Sequence, residues 1–140
     1  MRLFNLLNIL TLVNSYDYYM LAVQNWCSKD KYMIHGLWPN YYNGSYPINC
    51  EGPRYVKILD LEDKLNEYWY DCNKSESENL WEHEYDKHGK CVYQQENLSQ
   101  EEYFNKAIEL FLKYSIDKNS CFDLKFNQIN CIKYSYDDRF

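Results

Sequence analysis

The chain has 140 residues, a net charge of −6 and a pI near 5.0. That length supports one domain able to bury about two-thirds of its unfolded surface. The acidic balance excludes a protein that coats a long polyanion nonspecifically, because such proteins are usually basic. A nucleic-acid partner would need a local, salt-sensitive site, or a pH low enough to protonate His and some carboxylates. The 16 tyrosines and 19% aromatic content serve core packing and also offer stacking surfaces for flat ligands such as bases.

Residues 1–15 are expected to be a signal peptide. Arg2 gives a positive start, and Leu3 to Val13 is mostly apolar, broken by Asn5, Asn8 and Thr11. Val13-Asn14-Ser15 offers a cleavage point, and the run is too short to span a bilayer. The competing reading is a buried N-terminal strand or helix. Residues 16–140 are expected to form a single domain without repeats or linkers. Tyr16 to Trp26 reads as a buried strand, Ile34 to Trp38 as a short apolar piece interrupted by His35 and Gly36, and Tyr41 to Pro53 as loop.

Ile58, Leu61, Leu65, Tyr68 and Trp69 recur at helical spacing and predict a helix near 57–69. A polar stretch from Asn73 to Asn79 opens the next helix, with Ser75 and Glu78 as a capping box, Leu80 to His88 along it and Gly89 as its stop. A second capping box, Ser99 with Glu102, starts a helix over 100–114, whose apolar face is Tyr103, Phe104, Ala107, Ile108 and Phe111. Phe122, Leu124 and Phe126 alternate with polar residues as a half-buried strand does. Helices and strands mix without βαβ regularity, so the fold class is α+β.

Six cysteines in a chain this size fit three disulfides formed in an oxidising lumen. Six allow fifteen pairings. No pair is spaced Cys-x-x-Cys, which argues against a zinc knuckle. Asn43, Asn73 and Asn97 each begin an Asn-x-Ser acceptor and are glycosylation candidates.

The three histidines sit in unusual surroundings. At 100° per residue His83, Glu84, Lys87 and His88 fall at roughly 0°, 100°, 40° and 140°, so four ionisable groups share one arc. A solvated charged face is the plain reading. Trp81 and Tyr85 nearby, and Gly89 and Cys91 at the end, argue against simple exposure. A His-Glu-x-x-His zinc site fails because the second histidine is one position late, and Lys87 would oppose a dication. Acid–base chemistry fits better. Cleaving a ribose phosphodiester through its own 2′-hydroxyl needs a base, an acid and cations around the phosphorane. Two histidines can hold opposite protonation states at mildly acidic pH. Gly36 would allow a close approach, and Trp38 could wall a base.

Ile34-His35-Gly36-Leu37-Trp38-Pro39 and the run Trp81 to Cys91 resemble the two active-site segments of the RNase T2 family of secreted acid ribonucleases. Tyr16 to Trp26 resembles the family's first strand, and 100–114 resembles the helix after the second segment. The resemblance implies an antiparallel sheet flanked by helices, disulfide-stabilised, with residues 16–140 as one ribonuclease domain. It implies that His88 takes the 2′-OH proton and His35 protonates the departing 5′-oxygen. Glu84 and Lys87 would stabilise the pentacovalent state, and His83 would help bind phosphate. Trp38 would pack near a base or ribose, with Asn40 and Tyr46 in base recognition. The implied pairings are Cys27–Cys72, Cys50–Cys91 and Cys121–Cys131. Closing the loop between Cys50 and Cys91 would be worth about 4 kcal/mol on chain-entropy grounds.

The implied partner is single-stranded RNA, with no DNA, no stable membrane association, no cofactor and no metal. The protein would be a monomer, secreted or lumenal, including a lysosome- or vacuole-like compartment. Tyr85 stands where Trp is common in the family and Lys90 where Thr or Ser is common. The chain between Cys91 and Cys121 is far shorter than in plant or fungal members. The alternative reading, motivated by that shortening, is a catalytically weakened secreted RNA-binding or toxin-like protein that keeps the pocket.

Overall fold

The computed structural model describes residues 15–28, 30–72 and 76–131. Of the signal peptide expected at residues 1–15, residues 1–14 lie outside them, as do Asn73 and Ser75. A four-stranded antiparallel sheet has the order β2-β1-β3-β4. Its strands are β1 (Tyr18–Ser28), β2 (Lys31–Asn40), β3 (Ser120–Phe122) and β4 (Gln128–Ile129).

Alternation along β1 explains how the sheet is covered. Tyr19 and Leu21 enter the main core, while Tyr18, Met20 and Ala22 form a smaller cluster with Trp38 and Cys121. Successive side chains on a strand point to opposite faces, so these two sets lie on two faces of one strand. Helices close the main core. They are α1 (Glu62–Tyr68), α2 (Ser77–Glu84), α3 (Lys90–Glu96) and α4 (Gln100–Lys113). They contribute Leu65, Trp81, Val92, Tyr103, Phe104, Ala107 and Ile108.

The β1–β2 ladder shifts register twice, between Ala22 and Val23 and between Gln24 and Ser28, and the first shift falls at the site. Ala22 pairs with Gly36 and Val23 pairs with Ile34, so His35 has no partner across the ladder. It is the extra residue of a β-bulge, a device that re-aims a side chain. The bulge also resets the alternation, so that Ile34 and Leu37, three apart, both enter the main core.

Several expectations are corrected. The helix expected near 57–69 begins later, as a 3-10 turn at Leu59–Leu61 leading into α1. α2 starts at Ser77 with Glu76 as its N-cap and no side-chain cap; the expected Ser75 cap falls outside the described residues. Gly89 does not stop the helix. It has ordinary helical angles, and the chain runs on through a wide turn, Tyr85–Gly89, into α3. The residue that leaves the helix is Asn97, with φ of 56°. Gly89 is needed for space: a methyl there would strike the Tyr85 ring.

The alternating run at 122–126 is not one strand. Asp123 folds it into a turn, its carboxylate accepting from the Lys125 and Asn127 N–H groups and the Asn127 amide. Phe126 takes φ of 63° there and stacks on Tyr19 at 4.8 Å, so its burial comes from the turn rather than from a sheet face. The capping box of α4 is present, with Ser99 Oγ accepting from the Glu102 N–H and Glu102 Oε2 accepting from the Ser99 N–H.

Three disulfides join Cys27 to Cys72, Cys50 to Cys91 and Cys121 to Cys131. The second fastens the loop after β2 to the start of α3. No helix among the described residues is long and apolar enough to cross a membrane.

Candidate active site

The site forms where the bulged strand β2 meets the wide turn between α2 and α3. At that turn the Lys90 N–H reaches back to the Tyr85 carbonyl, five residues earlier. Such i→i+5 turns inside helices often occur at functional sites. The four ionisable groups of this segment separate into two pairs. Glu84 and His88 are buried against the sheet, while His83 and Lys87 are exposed at the rim.

Glu84 is the centre of the geometry. Its Oε2 accepts a 2.7 Å hydrogen bond from Trp38 Nε1 and lies 3.8 Å from His88 Nε2. Its Oε1 lies 3.5 Å from His35 Nε2. One carboxyl therefore stands within ion-pair reach of both imidazoles. The Trp38 indole lies between the histidines, stacked on His88 at 5.3 Å and edge-on to His35 at 5.6 Å. Gly36 makes this possible, since a methyl at that position would collide with both Trp38 Nε1 and Glu84 Oε2.

The strand is held from behind. The His35 carbonyl accepts from Trp69 Nε1 at 2.8 Å, and the Leu37 carbonyl accepts from Tyr103 Oη at 2.9 Å. Trp81 Nε1 in turn donates to the Trp69 carbonyl at 2.7 Å. These bonds fix the edge strand against α2 and α4.

Burial dominates the electrostatics. It pushes the Glu84 carboxyl up to about 8, against the pull of the Trp38 hydrogen bond and the Lys87 charge. At mildly acidic pH Glu84 is thus a neutral acid. Burial lowers His35, with Asp71 opposing and His83 and Lys87 adding to the effect. A histidine so placed gives up its proton more readily than usual.

His35, Trp38, Tyr46, His83, Glu84, Lys87 and His88 line one cavity of about 330 Å³. That volume falls in the range of small-molecule sites. The Tyr46 ring faces His88 at 6.2 Å, and Lys87 Nζ lies 5.5 Å from its centre. Asn40 is not part of this lining. It is buried, and its amide donates to the Trp38 carbonyl at 2.8 Å. Asn43 and Asn97 are exposed, the first in a turn where its Oδ1 accepts from Ser45. Sequence reasoning missed Gln24, Trp69 and Trp81. Gln24 had a visible signal, a polar residue inside a strand read as buried.

The profile of the Ribonuclease T2 family matches residues 14–134. The chain belongs to that family. Ribonuclease T2 protein rnst-2 of Caenorhabditis elegans is 44% identical over 88 residues, covering 58% of this chain and 31% of that protein. Ribonuclease T2 of Homo sapiens is 38% identical over 106 residues, covering 70% and 39%. Among solved structures, ribonuclease MC1 from the seeds of bitter gourd superposes with a TM-score of 0.61 at 29% identity. That match covers 71% of this chain and 59% of that one. Variants of ribonuclease MC1 have been solved with 5′-GMP and 5′-UMP. This Ribonuclease T2 family chain spans less than two thirds of the length of these relatives.

Proposed function

We propose that the protein is an endoribonuclease that cleaves single-stranded RNA without a metal. The 2′-oxygen of the substrate attacks the adjacent phosphorus and the 5′-oxygen leaves, giving a 2′,3′-cyclic phosphate. Water then opens the cycle to a 3′-phosphate. The observation that carries this reading is the pair of imidazoles, each within 4 Å of one buried carboxyl, at a cavity rimmed by Lys87 and His83.

In the first step His88 takes the 2′-OH proton and His35 gives a proton to the 5′-oxygen. In the second the roles reverse, with water in place of the leaving group. Lys87 and His83 are assigned to the charge on the phosphorane. Glu84, neutral at acid pH, can donate a hydrogen bond to a non-bridging oxygen. Trp38 and Tyr46 are assigned to the ribose or base. Asn40, whose amide donates to the Trp38 carbonyl, is assigned to holding Trp38 in place. The nucleophile belongs to the substrate, so no step calls for a metal. The nucleotides bound by ribonuclease MC1 variants support a nucleotide substrate for this pocket.

The paired cysteines support an oxidising, secreted or lumenal setting, and residues 1–15 are assigned to a signal peptide. Asn43, Asn73 and Asn97 are the glycosylation candidates of that route. The test is incubation of the purified chain with RNA in EDTA across pH 4–8, with the product ends identified. Cyclic phosphate ends and a bell-shaped profile are expected. His35→Phe and His88→Phe should each cost about 10²–10⁴-fold in rate while circular dichroism is unchanged. Cleavage only with added zinc or magnesium, or retained activity in both variants, would overturn the mechanism.

A further inference from the structure

Gln24 sits within β1, buried at 5% exposure, and the reaction above makes no use of it. The two ends of its amide face different partners. Nε2 lies 3.2 Å from the Tyr70 carbonyl and Oε1 lies 3.4 Å from His35 Nδ1. A carbonyl can only accept, so the amide nitrogen must face Tyr70 and the amide oxygen must face the imidazole. That oxygen also can only accept. The proton of neutral His35 therefore sits on Nδ1, and Nε2 is left facing Glu84 and the cavity. The 3.4 Å separation is long, as contacts to catalytic groups often are before substrate binds.

The anchor for this arrangement is itself tied down. Tyr70 follows Trp69, whose indole holds the His35 carbonyl, and precedes Asp71, whose N–H donates to Ser77 Oγ at 3.0 Å. Cys72, two residues on, is bonded to Cys27, three residues beyond Gln24 on β1. The bulge leaves His35 without a partner across the ladder, so its ring depends on side chains for its setting.

We propose that Gln24 is a positioning residue that fixes the tautomer and tilt of His35, presenting Nε2 to the reacting atoms. Its effect on rate rests on the ribonuclease reading of the pocket, whereas the tautomer does not. The ring nitrogen that carries the proton is set by the hydrogen bond the other nitrogen makes or lacks. The charged groups facing His35 are Glu84 and His83 from α2, Lys87 from the wide turn and Asp71 from the segment after α1. Glu84 faces Nε2, whereas the amide oxygen of Gln24 faces Nδ1.

The experiment compares the full chain with Gln24→Leu and Gln24→Glu by ¹⁵N NMR of the His35 ring and by RNA cleavage. The wild type should show neutral His35 protonated on Nδ1. Gln24→Leu should lose that single tautomer and drop kcat by about tenfold to a hundredfold, with KM little changed. Losses of that size follow removal of the outer partner of a metal-bound histidine. Gln24→Glu should restore the Nδ1–H signature, recover most of kcat and move the alkaline limb of the pH profile upward, because a carboxylate beside Nδ1 favours the imidazolium. A wild-type ring protonated on Nε2 would overturn the proposal even if neither variant folds. So would a Gln24→Leu variant with unchanged tautomer and kcat. Wild type that shows the Nδ1–H signature and cuts no RNA would support the tautomer and overturn the ribonuclease reading instead.

Discussion

His88 and His35 reach one carboxyl by opposite means. His88 lies on the wide turn with its side chain only 5% exposed, stacked on Trp38 and three residues before the disulfide-bonded Cys91. It is packed on nearly all sides, and its carboxyl partner Glu84 comes from the same segment, four residues earlier. His35 is 26% exposed, stands out of its ladder at a bulge, and is held by polar contacts to Gln24, Glu84 and, at its carbonyl, Trp69. A packed group resists small chemical changes around it, whereas a group held by directional contacts fails when one of them shifts. The strand side should therefore be the more sensitive of the two.

The strongest way to break this contrast is to add one methyl group to each side. Gly36→Ala drives a carbon into Trp38 Nε1 and Glu84 Oε2, the bond that joins strand to turn. Overpacking of this kind costs about 1–3 kcal/mol. Displacing reacting groups by about 1 Å costs roughly 10²-fold in rate. Gly89→Ala pushes mainly on the Tyr85 ring and, less closely, on the Tyr103 ring, both on the packed side. It should lose comparable stability in urea titrations but less than about tenfold in RNA cleavage, being further from the displacement that matters. Equal rate losses in the two variants would remove the distinction.

Glu84, shared by both histidines, gives the next largest effect. Its carboxyl titrates near 8 in the fold against an ordinary 4.5. Below 4.5 both folded and unfolded chains hold the proton, and stability is undiminished by this group. As pH rises toward about 8 the unfolded chain ionises while the folded chain resists, so stability falls by up to about 1.4 kcal/mol per unit. His35, lowered in the fold, acts in the opposite sense and withdraws stability as pH falls below 6.5. Glu84→Gln removes the first dependence and leaves the second. Urea titrations at pH 5 and pH 8 should show the variant gaining about 1–3 kcal/mol on the wild type between the two. A constant difference would mean that Glu84 is ionised throughout.

Much of the site was legible in the sequence for chemical reasons. The charged groups of 83–88 stood in an aromatic setting that an idle surface does not need, and His35 stood beside the glycine that proves to make room for the Trp38–Glu84 bond. The α+β class and the α4 capping box were legible because both depend on local pattern. What the sequence hid was geometry that arises only on contact. Ideal helical spacing could not show that Glu84 and His88 turn inward while His83 and Lys87 stay out, because the wide turn depends on packing against β2. Gly89 looked like a stop because glycine usually is one, yet here it makes room for Tyr85. The bulge at His35 has no signature of its own, and Asn40 looked available for a base until its amide was seen bound to the Trp38 carbonyl. The turn at Asp123 was mistaken for strand because Phe122 is buried and Phe126 partly so, by different routes.

The smallest effect tests how far packing holds the turn that carries His88. The Tyr85 hydroxyl is buried and has no hydrogen-bond partner among the described residues. Its ring packs among Tyr55, Tyr103 and Phe104 at the start of the wide turn. A buried donor left unpaired costs about 1–3 kcal/mol, and removing it without changing the ring removes that cost. Tyr85→Phe should therefore stabilise the chain by about 1 kcal/mol, raising Tm by roughly 4 °C at this length. RNA cleavage should not change, because the hydroxyl touches no group of the pocket. An equal or lower Tm would mean that the hydroxyl makes a bond in solution. The turn that carries His88 would then owe its setting to one more polar contact, and the two sides of the site would differ in degree rather than in kind.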